Sequence, residues 1–135
     1  MAFDPLSKYL TEVREAPRLQ EQHEADLARR IQAGVRAAHL LDEGTHGPAE
    51  HKRLESEKSE GERAKRELIE GSLHLVVAAA LRHPDVSTPL LDLIQEGNIG
   101  LIRAVERFDP SDGQRFEEFA NALIGEALWQ ATEEA

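Results

Sequence analysis

Leu90-Leu91-Asp92-Leu93-Ile94-Gln95-Glu96-Gly97-Asn98-Ile99-Gly100-Leu101-Ile102-Arg103-Ala104-Val105-Glu106-Arg107-Phe108 is the stretch whose pattern decides the fold. At about 100° of turn per residue, Leu90, Leu93, Ile94, Leu101, Val105 and Phe108 share one side of a helix, with Leu91, Gly97 and Ala104 at or near its margins. Such a stripe faces a core. The opposite side carries Asp92, Gln95, Glu96, Arg103, Glu106 and Arg107, and the same geometry puts Ile99 in the middle of this polar face. An apolar anchor ringed by charge points to a partner surface. Thr88 is placed to cap the helix and Pro89 suits its first turn, where the missing donor costs nothing. Asp109-Pro110 closes it. Gly97 and Gly100 each cost roughly 1 kcal/mol against Ala inside a helix, so they call either for close approach by another backbone or for simple tolerance.

Composition narrows the rest. With 135 residues the chain is large enough for a single core. Four Phe, one Trp and one Tyr leave that core to Leu, Ile, Val and Ala, which favours an all-α helical bundle over a β-sandwich. No cysteine is present, so disulfides and thiolate metal sites are excluded. No charged-then-apolar leader and no membrane-length apolar run occur, which predicts a soluble, cytoplasmic protein that does not bind membranes. Residues 1–70 hold 12 basic and 15 acidic side chains, a net of −3, whereas residues 71–135 hold 4 and 11, a net of −7. A C-terminal half that gripped DNA phosphates should be basic, because backbone affinity comes from neutralising phosphates. This one is acidic.

Taken in order, Asp4 can cap a first helix with Pro5 at its first position, and Leu6, Tyr9, Leu10 and Val13 then share a face before Pro17 stops it. A second helix begins near Gln20, with Leu27, Ile31, Val35 and Ala38 on its stripe and Arg29, Arg30 and Arg36 facing elsewhere; Gly34 either ends it or merely weakens it. Asp42 to Pro48 is turn chemistry in series. The run HKRLESEKSEGERAKRE has almost nothing to bury, and reads either as an exposed helix supported by pairs at four-residue spacing or as a mobile connector. His46 and His51 lack the convergent carboxylates that a metal site needs. From Glu62 to Leu81 the pattern is apolar around much of a helical circumference, which belongs in the middle of a bundle, and His83-Pro84 ends it. His74 on this helix has no Ser, Cys or acid partner that would make it catalytic. The last helix carries Phe116, Phe119, Ala120, Leu123, Ile124, Ala127 and Ala131 on one stripe. Trp129 lies off that stripe, and either packs on the N-terminal helices or stands exposed as a partner anchor.

LLDLIQEGNIGLIRAVERFDP closely resembles the core-polymerase-binding helix in domain 2 of the bacterial sigma-70 family. Residues 4–13 resemble the opening of sigma region 1.2, and residues 64–77 resemble region 2.1, in the family's order. The resemblance covers roughly residues 4–34 and 64–119. It implies a bundle like sigma domain 2 with region 1.2: one helical unit in which residues 1–43 are region 1.2-like, 44–62 a polar linker, 63–108 region 2.1–2.2-like and 109–135 a diverged region 2.3-like helix. It also implies core RNA polymerase as partner, gripped at the beta-prime clamp helices by Asp92, Gln95, Glu96 and Asn98, with Ile99 beside them. Acceptors and amides on one face suit a basic coiled-coil partner.

The next segment departs from the family. Region 2.3 of sigma factors presents aromatics that stack on unpaired promoter bases, each worth about 1 to 3 kcal/mol, with cationic side chains holding the backbone. Here Arg115, Phe116 and Phe119 keep the frame and, with Arg29 and Arg30, are the candidate DNA-facing residues. The paired-tryptophan positions, however, match Ala122 and Leu123, and the following Arg position matches Gly125. Residues 109–135 contain seven acidic side chains and one basic. The expectation is a non-enzymatic, cofactor-free, sigma-like initiation protein with weakened −10 recognition. The alternatives are a regulator that occupies the sigma site without binding promoter DNA, and a helical interaction module with another partner that uses Trp129. The two glycines of EGNIG do not make a phosphate loop, and no motif assembles a nucleophile, base and oxyanion donor.

Overall fold

A computed structural model describes residues 4–85 and 87–133. The described residues form six α-helices and no strand: α1 (Pro5–Glu15), α2 (Glu21–Glu43), α3 (Pro48–Glu70), α4 (Leu73–Arg82), α5 (Leu90–Arg107) and α6 (Phe116–Glu133), with a single 3-10 turn at Pro110–Asp112 before α6. The all-α expectation holds. Asp4 Oδ1 accepts from the Leu6 amide and Pro5 opens α1, as the cap-and-proline signal predicts. Leu6, Tyr9 and Leu10 then lean on the core and Val13 is buried.

Two antiparallel helix pairs make up most of the structure. α2 and α3 form one hairpin and α5 and α6 the other, with α4 packed under both α5 and α6 and α1 against α4. The shared core runs through Leu27 and Ile31 of α2, Leu68 of α3, Val76 of α4, Leu101 of α5 and Ile124 of α6, all nearly or wholly inaccessible. Each such aliphatic side chain removed from water contributes about 1.5–3 kcal/mol, which is why the apolar periodicities carry the architecture.

Four expectations need correction. The polar linker over 44–62 is only a turn at 44–47, after which α3 is continuous. α2 closes with Gly44 in the left-handed region at φ 68°, the usual ending for a helix that must reverse direction. α3 is an exposed helix on one side, with Arg53 within 3.8 Å of Glu57 and His51 within 3.2 Å of Glu55. On its other side Leu54, Gly61, Ala64 and Leu68 are buried, a seam in which two leucines flank two small residues. Second, the α2 stripe does not hold at Val35, which is 52% exposed. The helix instead turns Gly34 and Ala37 inward, and a Cβ built on Gly34 would stand 2.8 Å from the Gly61 Cα. Gly34 neither ends nor loosens α2; it lets two backbones touch.

Third, the apolar run from Glu62 to Leu81 is broken at Gly71-Ser72, where α3 ends and α4 starts. Leu19, from the link between α1 and α2, presses on Gly71 so closely that a Cβ there would lie 2.5 Å from its Cδ1. Fourth, Thr88 does not cap α5. Its hydroxyl donates to Asp85 Oδ2 at 2.7 Å, and Pro89 holds the cap position. Asp85 also accepts from the Ser87 amide and hydroxyl, and these bonds hold its carboxyl down at about 2.

Gly97 and Gly100 resolve in favour of close approach. A Cβ on Gly97 would meet Val76 Cγ1 at 2.7 Å, and one on Gly100 would meet Leu123 O at 2.6 Å and the Ile124 Cα at 2.9 Å. Gly125, on the outer side of α6, has open space around it. Gly100→Ala is therefore expected to destabilise the fold by about 1–3 kcal/mol through overpacking against backbone that cannot rotate away. Gly125→Ala is expected to gain about 0.5–1 kcal/mol of helix propensity. Urea denaturation of the two variants beside the parent reads both signs.

Candidate functional site

With Leu93, Ile94, Gly97, Gly100, Leu101, Ala104 and Val105 turned into the core, α5 has no freedom to rotate, and the residues between them are fixed outward. Asp92, Gln95 and Ile99 are exposed, Ile99 at 45%, while Glu96 and Asn98 are half-buried. The face is therefore brought together as the spacing predicts. Asn98 sits at its edge: its Oδ1 is covered and has no hydrogen-bond partner, so this amide is only partly offered to a partner. Leu91 and Ile102 are exposed as well, at 48% and 39%. Leu91, at the core margin by spacing, lies nearer the outer face, and with Ile99 and Ile102 it adds an apolar lane between the polar groups. A shallow cleft lined by Glu96, Ile99 and Arg103 of α5 and Ala127, Gln130 and Ala131 of α6 extends this face. The combination suits a partner with cationic and aliphatic side chains on one surface.

The candidate DNA-facing residues do not form a comparable surface. Phe116 is 1% exposed and meets Phe108 edge to face at a centroid distance of 5.3 Å. Phe119 is half-buried and tilted on the same Phe108 ring at 5.7 Å. Phe116 thus takes the core place that its stripe predicts, and the expectation that it faces DNA is corrected, since a ring 1% exposed cannot stack on a base. Arg115 turns back to α2, with its guanidinium 3.5 Å from Glu24 and 3.6 Å from Glu21. Arg29 and Arg30 are exposed on α2, Arg30 within 3.1 Å of Asp26. Arg29 lines a cleft with Gln32, Arg36, Asp109 and Ser111. Trp129 is 53% exposed, in line with the exposed alternative, and its ring meets that of His83, just after α4, at 4.8 Å.

His46 and His51 do meet, Nε2 to Nδ1 at 2.6 Å with stacked rings, but no group of three potential metal ligands converges among the described residues. No helix among them is long and apolar enough to cross a membrane. His74 is half-buried, and burial beside Arg18 pushes its imidazole below the ordinary value.

Glu24 was not singled out by the sequence. It is 6% exposed, and its covered Oε1 has no hydrogen-bond partner although Arg115 lies 3.5 Å away. Burial pushes its carboxyl above the ordinary 4.5, outweighing the pull of Arg115, and Glu117 and Glu21 add to the rise. An acid in an otherwise apolar α2 stripe, with its cation far along the chain at Arg115, leaves no local signal.

Comparison with known proteins followed the same segments. The family model described as Sigma-70 factor, region 1.2 matches residues 4–37, and that described as Sigma-70 region 2 matches residues 68–129. RNA polymerase principal sigma factor HrdD of Streptomyces griseus is 44% identical over 128 residues, covering 93% of this chain and 39% of that protein. RNA polymerase principal sigma factor HrdC of Streptomyces coelicolor is 42% identical over 130 residues, covering 93% of this chain and 38% of that protein. The chain thus spans about two fifths of the length of these relatives.

Because the folded chain holds the Glu24 proton more tightly than the unfolded chain, this group favours folding most below 4.5, and that contribution is lost as pH rises through the raised folded value. Glu24→Gln removes the ionisation. Urea midpoints of parent and variant are expected to converge in acid, with the variant pulling ahead as pH approaches neutrality. Arg115→Met should do the reverse at neutral pH, lowering the midpoint because Glu24 is left charged and unpaired, with the deficit shrinking on acidification.

Proposed function

Since the chain belongs to the sigma-70 family and covers its regions 1.2 and 2, we propose that it is a sigma-like transcription-initiation protein that docks on core RNA polymerase through the outer face of α5. The observation that carries this reading is the fixed exposure of Asp92, Gln95 and Ile99 beside half-buried Glu96, on a helix whose other side is locked against α4 and α6. The beta-prime clamp helices are the contact proposed for this face. Carboxylates and amides there supply charge-assisted hydrogen bonds to a basic coiled coil, and exposed Leu91, Ile99 and Ile102 supply the apolar contact that anchors it. Asn98 contributes at the margin.

Recognition of the −10 element is proposed to be weakened. Three observations support this: Phe116 is enclosed, Arg115 is committed to Glu21 and Glu24, and Ala122 and Gly125 present no ring or cation on α6. The same three favour, as a second reading, a regulator that occupies the sigma site and keeps the principal factor off the polymerase. Both readings share the α5 contact and differ in the sign of their effect on transcription.

Asp92→Lys with Glu96→Lys is expected to abolish co-purification with core polymerase while leaving the helical circular dichroism unchanged. Retained binding by a folded double variant would remove the docking proposal. In vitro transcription in competition with the principal sigma factor then separates initiation from occupancy: added transcript marks the first, and loss of transcript the second.

A further inference from the structure

α6 has a second unpartnered surface, on the side away from α5. Glu118, Ala122, Gly125, Glu126, Trp129 and Glu133 recur at intervals of three and four and so lie along one lane. All are exposed except Gly125, which is half-buried with open space where a Cβ would stand. The lane is about 22 Å long at 1.5 Å per residue. Its floor is made of small residues at Ala122 and Gly125, which lets another helix axis come near. Its far end is the Trp129 indole, 53% exposed yet held in place by the His83 ring at 4.8 Å, with His83 itself 3.2 Å from the Thr132 hydroxyl. An exposed, pre-positioned tryptophan is the side chain best suited to anchor a protein contact, and its π face also attracts cations.

Charge then selects the occupant. The lane carries Glu118, Glu126 and Glu133, and Arg115, the one basic residue in 109–135, is held by Glu21 and Glu24 of α2. A phosphate backbone or an anionic lipid surface meets only repulsion there. No group of three ligands for a metal ion converges among the described residues. We propose that this lane of α6 docks a basic amphipathic helix of a protein partner, with an aliphatic residue seated over Ala122 and Gly125, cationic side chains opposite Glu118, Glu126 and Glu133, and an arginine or lysine over the Trp129 ring. The surface is separate from the α5 face, so the inference stands or falls independently of polymerase docking.

Trp129 is the sole tryptophan of the chain, so its emission reads the lane directly. The full chain is titrated with three probes: a synthetic alanine-based helix bearing a leucine–arginine stripe, the same helix with glutamate for arginine, and oligo(dT). The expected result is a saturable blue shift with the arginine helix alone. By anisotropy of the labelled peptide, binding should weaken about ten-fold in the combined Glu118→Gln, Glu126→Gln, Glu133→Gln variant. Trp129→Ala and Gly125→Leu, the latter filling the lane without touching the core, should weaken it similarly. A remote control, Glu43→Gln with Glu60→Gln and Glu70→Gln on exposed parts of α2 and α3, should stay within about two-fold. An equal loss in the control would overturn the proposal in favour of diffuse charge attraction. Absence of a Trp129 shift, or tighter binding of oligo(dT) than of the arginine helix, would overturn it outright.

Discussion

At Gly100 the backbone of α5 rests on the backbone of α6, so near that a methyl group would collide with Leu123 O and the Ile124 Cα. One turn earlier Gly97 accepts the Val76 side chain of α4 in the same manner. Three helices are thereby fixed at a common crossing, and the rest of the core fills in around it. Close contact at this point sets the rotation of α5 about its own axis, and with it which side chains are left outside. The polar and apolar residues of the outer face are presented because the inner face has no slack.

A second close crossing, Gly34 on Gly61, does for α2 and α3 what Gly100 does for α5 and α6. It explains how a segment as polar as residues 48–70 folds into an ordered helix. Few large apolar side chains are needed when backbones approach so closely that dispersion contacts accumulate along the seam. Between the two hairpins run Lys65 to Glu106 at 2.9 Å and the Gln32 amide to the Phe108 carbonyl at 3.5 Å, both near the surface. The stronger tie is the core itself, where Leu27, Leu68 and Leu101 are fully enclosed.

The region that diverges from the family pattern is also where the electrostatics turn inward. Arg115, a residue that could meet a phosphate, neutralises Glu24 and Glu21 instead, and Glu24 is buried enough to raise its proton affinity. What α6 shows to solvent is then three carboxylates, the amides of Asn121 and Gln130, Ala122 and one indole. The proposal of weakened −10 recognition rests on this pairing of an engaged Arg115 with an enclosed Phe116 at one end of α6.

The helices α1, α2, α5 and α6, the cap at Asp4 with Pro5 after it, the stop before Pro17 and the outward strip at Asp92, Gln95 and Ile99 were all legible in the amino-acid sequence, because each depends on spacing or on a residue's own backbone chemistry. The closeness of Gly97 and Gly100 was legible only as an alternative. What tertiary structure alone decided was the identity of neighbours. It set Gly61 against Gly34, Leu19 against Gly71 and Arg115 against Glu24, and exposed Val35 and Leu91. Periodicity reports which residues share a face of one helix. It carries no information about which other helix arrives there, or how near, and that distance is what decided between an exposed helix and a mobile connector for residues 48–70.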